Sequence, residues 1–155
     1  MMMTTRVRML WLLVLCGLLA VPLGAQDADH KTVRVFIFAG QSNMVGSDSK
    51  VKDIARFPPF VGVGEPQAKV RYTYCIGREN KTRSDGWTEL QPVNNIVGPE
   101  LTFARDVTNA IKAPIAIIKI AAGGTTIGAD WNPDDPQGFK LYPIALETVR
   151  AALSS

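Results

Sequence analysis

The chain is 155 residues long, which gives room for one domain of ordinary size. Hydrophobic residues make up 46% and charged residues 20%, with 13 Gly and 10 Pro, a balance that excludes a disordered chain and fits a turn-rich globular one. The formal net charge is +3, but the first 25 residues carry two arginines and no acid; without them it is +1, and no cationic stripe remains for nucleic acid or an anionic membrane.

Residues 1–25 read as a secretory signal peptide. Arg6 and Arg8 precede the apolar run Met9 to Leu19, and Leu23-Gly24-Ala25 offers small residues for cleavage before Gln26. The run is shorter than the ~20 residues a bilayer span requires, which argues against a retained anchor. Leu15 in front of Cys16 argues against a lipoprotein site. The expectation is a protein that is secreted or periplasmic, free of the membrane after cleavage, with residues 26–155 forming one domain. Cys75 is then its single cysteine, so no intrachain disulfide can form. One histidine and one cysteine cannot build the ligand cluster that zinc prefers, and no metal or cofactor is expected.

In chain order, residues 26–31 are a polar lead-in, and Val33 to Phe38 is a β-branched and aromatic run interrupted only by Arg34, expected as a strand buried on both faces of a parallel sheet. It runs into the small and polar turn Ala39 to Met44. Residues 46–67 are rich in Gly, Pro and Lys and are expected as loop. Lys69 to Ile76 alternates, with Val70, Tyr72, Tyr74 and Ile76 on one side, and suits a second strand with a wetter opposite face. Residues 77–95 are polar and turn-rich, and Asn80-Lys81-Thr82 fits a glycosylation sequon by pattern.

Pro99 and Glu100 open a helix through about Ile111, with proline at a favoured first-turn position, an acid at the positive helix end, and Leu101, Ala104, Val107 and Ile111 as its apolar stripe. Ile115 to Ala121 is a second β-branched run, ending in Gly123-Gly124-Thr125-Thr126, and Tyr142 to Leu153 is a final amphipathic helix. Strand, helix, strand, helix is the pattern of an α/β fold with a parallel sheet and crossover helices.

Ligands of open parallel sheets bind at the carboxyl ends of the strands, where turns project side chains and free N–H groups. Two such turns are present. Ser42 directly follows the first strand, between Gly40-Gln41 and Asn43, and would be held exposed and rigid. Gly123 and Gly124 leave backbone N–H groups unobstructed, so one of them could face a developing oxyanion beside Ser42. A serine in this place also serves simply to cap a turn, and paired glycines also serve simply to bend a chain.

Three ordered blocks carry a resemblance. Val35–Gly46 (VFIFAGQSNMVG) closely resembles the first block of the sialate O-acetylesterase-like branch of the SGNH hydrolases, which includes the acetylxylan esterases of carbohydrate esterase family six. Gly98–Ala104 (GPELTFA) is similar to the G-P-E segment of that branch, and Ile117–Ile127 (IIKIAAGGTTI), with Trp131 beyond it, to its second glycine block.

The resemblance implies a three-layer α/β sheet with helices on both faces. It makes Ser42 the nucleophile that attacks an acetyl carbonyl and forms an acyl-enzyme. The Ser42 N–H and that of Gly123 or Gly124 would hold the oxyanion, and an acetylated carbohydrate would be the substrate. Gln41, Asn43, Glu100, Thr125 and Trp131 are the candidate substrate-contacting residues, with helix-start acid as the competing role for Glu100 and packing for Trp131.

Relatives of this kind continue to a W-x-Q-G-E segment and a late D-x-x-H segment that supplies the general base. Neither stands at the corresponding place here, so the chain is expected to be C-terminally truncated, with an open sheet edge and little activity of its own. Asp27-Ala28-Asp29-His30 matches D-x-x-H, but His30 enters the first strand at its start. At ~3.3 Å per residue it would stand about 25 Å from Ser42, whereas a general base must reach ~3 Å. The competing expectation is a non-catalytic carbohydrate-binding remnant.

Overall fold

The computed structural model describes residues 32–78 and 81–155. The signal peptide read at residues 1–25, the lead-in with His30, and Asn80 of the sequon lie outside the described residues.

Strand β1 (Arg34–Gly40) runs into a single helical turn, α1 (Ser42–Val45). The segment expected as loop folds partly into 3-10 turns at Val51–Arg56 and Pro58–Phe60. Strand β2 (Gln67–Ile76) is followed by two short strands, β3 (Thr82–Arg83) and β4 (Thr88–Leu90), in the segment expected to be all turns. Helix α2 (Pro99–Ala110), strand β5 (Ile115–Ala121) and helix α3 (Leu141–Leu153) complete the chain.

The β5 segment IAIIKIA is buried at every position. Such a run suits the middle of a parallel sheet, where both faces are covered, and β5 indeed lies between β1 and β2, parallel to both. β3 and β4 pair antiparallel with the far edge of β2. Helix α3 packs over the other face of β2, which explains why Thr73 and Cys75 are buried along with Val70 and Tyr72, rather than forming a wetter face.

β1 departs from expectation. Among the described residues it is an edge strand that pairs only with β5, and its residues alternate: Phe36 and Phe38 turn inward, while Val35 and Ile37 are 40% and 56% exposed. The reason is coverage. α2 covers one face, with the Phe103 ring 4.8 Å from that of Phe36 and 5.2 Å from that of Phe38, while on the other face α3 lies chiefly over β5 and β2.

Ile115 and Ile117 of β5 join Val63, Val70, Tyr72, Leu90, Leu101 and Ala104 in the core on the α2 side. Ile118 and Ile120 join Leu141 and Ala152 on the α3 side. The alternation of β5 side chains thus puts α2 and α3 on opposite faces of the sheet, as period-two geometry requires. Among the described residues no helix is long and apolar enough to cross a membrane.

Candidate active site

β1 and β5 run in register, with Gly40 opposite Ala121, and the Ala122 N–H donates to the Gly40 carbonyl at 3.1 Å. Both bends therefore leave the sheet side by side at its carboxyl end. Gly40 lets the chain pass closely, since a Cβ there would press on Met44 at 2.9 Å. Gln41 is extended and caps α1, and Gly46 ends the turn in the left-handed region at φ 84°, with its N–H donating to the Ser42 carbonyl at 2.9 Å. The Ser42 side chain faces the glycine bend: a Cβ built on Gly123 would lie 3.8 Å from the Ser42 Cβ.

Ser42 is half-buried. Its hydroxyl donates to Gln41 Oε1 at 2.9 Å, and its backbone N–H donates to the same oxygen at 3.2 Å. The Gln41 amide oxygen thus occupies both the Ser42 hydroxyl and the Ser42 N–H, and a ligand oxygen seeking that N–H would have to displace it. Beside the serine, Ala39, Gly40, Gln41, Thr125, Ile127 and Trp131 line a crevice of about 380 Å³. Trp131 both lines this space and packs against the α3-side core. Thr125 is buried, and its hydroxyl donates to the Ala122 carbonyl at 2.8 Å, bracing the turn. Gly124 has φ 70°, a conformation that favours glycine.

Two residues expected at the crevice stand elsewhere. Asn43 lines a second groove of about 510 Å³ on the α2 side, with Asp53, Phe57, Phe60 and Thr102. Glu100 is only 2% exposed, and its Oε2 accepts from Lys119 Nζ at 2.7 Å. Its carboxylate is committed to an interior ion pair beneath the serine turn and is not presented to a ligand. The physical reason is Lys119: a cation in the middle of a buried strand requires a partner.

Burial draws the Lys119 ammonium below its ordinary pKa, and the Glu100 carboxylate opposes that pull. Burial, and then the Glu100 charge, push the Tyr72 phenol far up.

Asp130 organises the crevice wall and was not foreseen. Its Oδ2 accepts from the Thr126 N–H and its Oδ1 from the Phe139 N–H, both at 2.8 Å, which closes the loop carrying Ile127 and Trp131. These amides hold its carboxyl below the usual carboxylate range. In the sequence nothing sets Asp130 apart from Asp134 and Asp135 of the same loop. Arg78 stands at the rim, with Nη1 donating to the Gly124 carbonyl at 3.3 Å. Among the described residues no three His, Cys, Asp or Glu side chains gather as a metal site.

Among curated proteins none matches this chain. Among solved structures, a protein from Arabidopsis thaliana is similar at 23% sequence identity and a TM-score of 0.50, over 76% of this chain and 50% of that one. The chain therefore spans half the length of that structure, and at this identity the likeness concerns the fold alone. A family model described as carbohydrate esterase, sialic acid-specific acetylesterase, matches residues 32–155. With the match running through both the Ser42 turn and the Gly123-Gly124 turn, the chain belongs to this carbohydrate esterase family.

Proposed function

We propose that the site is that of a serine esterase acting on O-acetylated carbohydrates, with Ser42 as nucleophile. The observation that carries the reading is the approach of Ser42 to Gly123 across two parallel strands that end together. The Ser42 oxygen attacks the acetyl carbonyl, the sugar oxygen leaves with a proton, and water then hydrolyses the acyl-serine to acetate and restores the hydroxyl. The Ser42 N–H and that of Gly123 or Gly124 would hold the oxyanion once Gln41 swings aside. The crevice beside Thr125, Ile127 and Trp131 has room for a sugar ring. Acetylated sialic acid and acetylxylan are the substrate classes this reading admits.

The reading includes a three-layer fold in residues 26–155, delivered to the periplasm or exterior by residues 1–25. A second reading is a carbohydrate-binding protein that keeps the crevice of about 380 Å³ without turnover.

Acetate release from acetylated xylan and acetylated sialic acid, measured alongside binding, tests the pair. Release that Ser42→Ala abolishes supports the esterase. Binding without release, unchanged by Ser42→Ala, supports the binding protein, and neither release nor binding removes both.

A further inference from the structure

Lys119 is the one polar residue of the central strand, and its side chain is 2% exposed. A cation at that depth is costly unless it is paired and hydrogen-bonded. Its Nζ donates to Glu100 Oε2 at 2.7 Å and to the Val45 carbonyl at 3.3 Å. Glu100 belongs to the first turn of α2, and Val45 is the last residue of α1, the turn that begins at Ser42. One ammonium therefore joins the middle of the sheet, the start of α2 and the serine turn.

The surrounding backbone is shaped to this junction. A Cβ on Gly98 would run into both the Glu100 carboxylate and the Lys119 ammonium, and a Cβ on Gly46 would collide with the Val97 carbonyl. The two glycines let α1 lie flat on the segment before α2. A four-residue helix has too few internal bonds to hold itself in place, so what holds α1 must come from outside it. Burial of an ion pair, in turn, is a poor source of stability, because replacing both partners by apolar residues is often neutral or stabilising. The placement of this pair under α1 points to orientation rather than stability.

We infer that Lys119, oriented by Glu100, is a positioning residue for Ser42, fixing through the Val45 carbonyl where the serine hydroxyl stands against Gly123. The catalytic consequence rests on the reading of Ser42 as nucleophile; the positioning itself does not. The G-P-E segment then has a physical role: Gly98 makes room, Pro99 starts the helix, and Glu100 holds the lysine.

The test compares the full chain with the double variant Glu100→Leu/Lys119→Met in three measurements: melting temperature, hydrogen exchange at the Gly46 amide, and the rate at which a fluorophosphonate modifies Ser42. The expected result is a melting temperature within about 5 °C of the original, Gly46 exchange at least about tenfold faster, and serine modification about tenfold slower. Retained melting temperature with unchanged exchange and unchanged modification overturns the inference. If the parent chain is not modified at all, the nucleophile reading fails while Gly46 exchange still decides the positioning. Should the double variant not fold, Glu100→Gln is measured by the Gly46 exchange rate relative to Ile118 of β5, where a raised ratio supports the inference and an unchanged ratio overturns it.

Discussion

Gly123 stands directly across from Ser42, with the position its missing Cβ would take 3.8 Å from the serine Cβ. That spacing is ordinary van der Waals contact, and Gly123 does not occupy the left-handed region, so an alanine fits without strain. Gly123→Ala is expected to leave stability unchanged or raise it by up to about 1 kcal/mol, since it restricts the unfolded chain. It should nevertheless slow fluorophosphonate modification of Ser42, because the added methyl narrows the space an acyl group needs. Gly124→Ala is expected to do the reverse to stability, costing about 1–2 kcal/mol at φ 70°. Urea unfolding of the two variants together with the modification rate checks both; a Gly123→Ala protein modified at the parent rate contradicts the first.

Lys119→Met alone removes one partner of the interior pair and strands the Glu100 carboxylate. A loss of about 3–5 kcal/mol is expected at neutral pH. Urea unfolding of variant and parent at neutral pH measures this; a variant as stable as the parent counts against it.

The Thr126 and Phe139 amides lower the folded pKa of Asp130 below the unfolded value. Its stabilising contribution is therefore fully present above the unfolded value near pH ~3.9 and is lost as pH falls through the lowered folded value. The loop with Ile127 and Trp131 should loosen in acid ahead of the sheet. The amide resonances of Thr126 and Phe139 should shift together in that acid range in the parent, and Asp130→Asn should abolish the shared titration.

The edge strand makes a prediction about association. Among the described residues β1 has no strand on its outer side, and Val35 and Ile37 are exposed beside that edge. Such an edge is a template for pairing between chains. Ile37→Lys is expected to lower light scattering at high concentration while changing stability by no more than about 0.5 kcal/mol, as suits a surface position. Equal scattering by parent and variant would show that the edge is not the site of association.

The local patterns and the folded chain agree most closely where the physics is local. The β-branched run Ile115–Ala121 is observed with the boundaries its composition predicts, because seven residues of that kind, bounded by Pro114 and by small residues, have few alternatives. The second helix begins at Pro99 as expected, since proline is suited to a first turn, and the last helix begins one residue early at Leu141. β3 and β4 were not legible, because strands of two and three residues carry no period of their own and exist through their pairing with β2.

By itself, the sequence of this protein determined that two strands would end in turns rich in small residues, one holding Ser42 and the other Gly123 and Gly124, since hydrophobic period and glycine freedom are encoded residue by residue. Only the tertiary structure decided that β1 would be an edge, that Glu100 would turn inward to Lys119 instead of outward to a ligand, and that Asp130 would close the crevice wall. Each of these depends on which distant segment comes alongside: Glu100 and Lys119 are 19 residues apart, and the Val45 carbonyl is 74 from Lys119. A buried charge takes its partner from whatever packing brings within reach, and that is a property of the assembled fold rather than of any local stretch of chain.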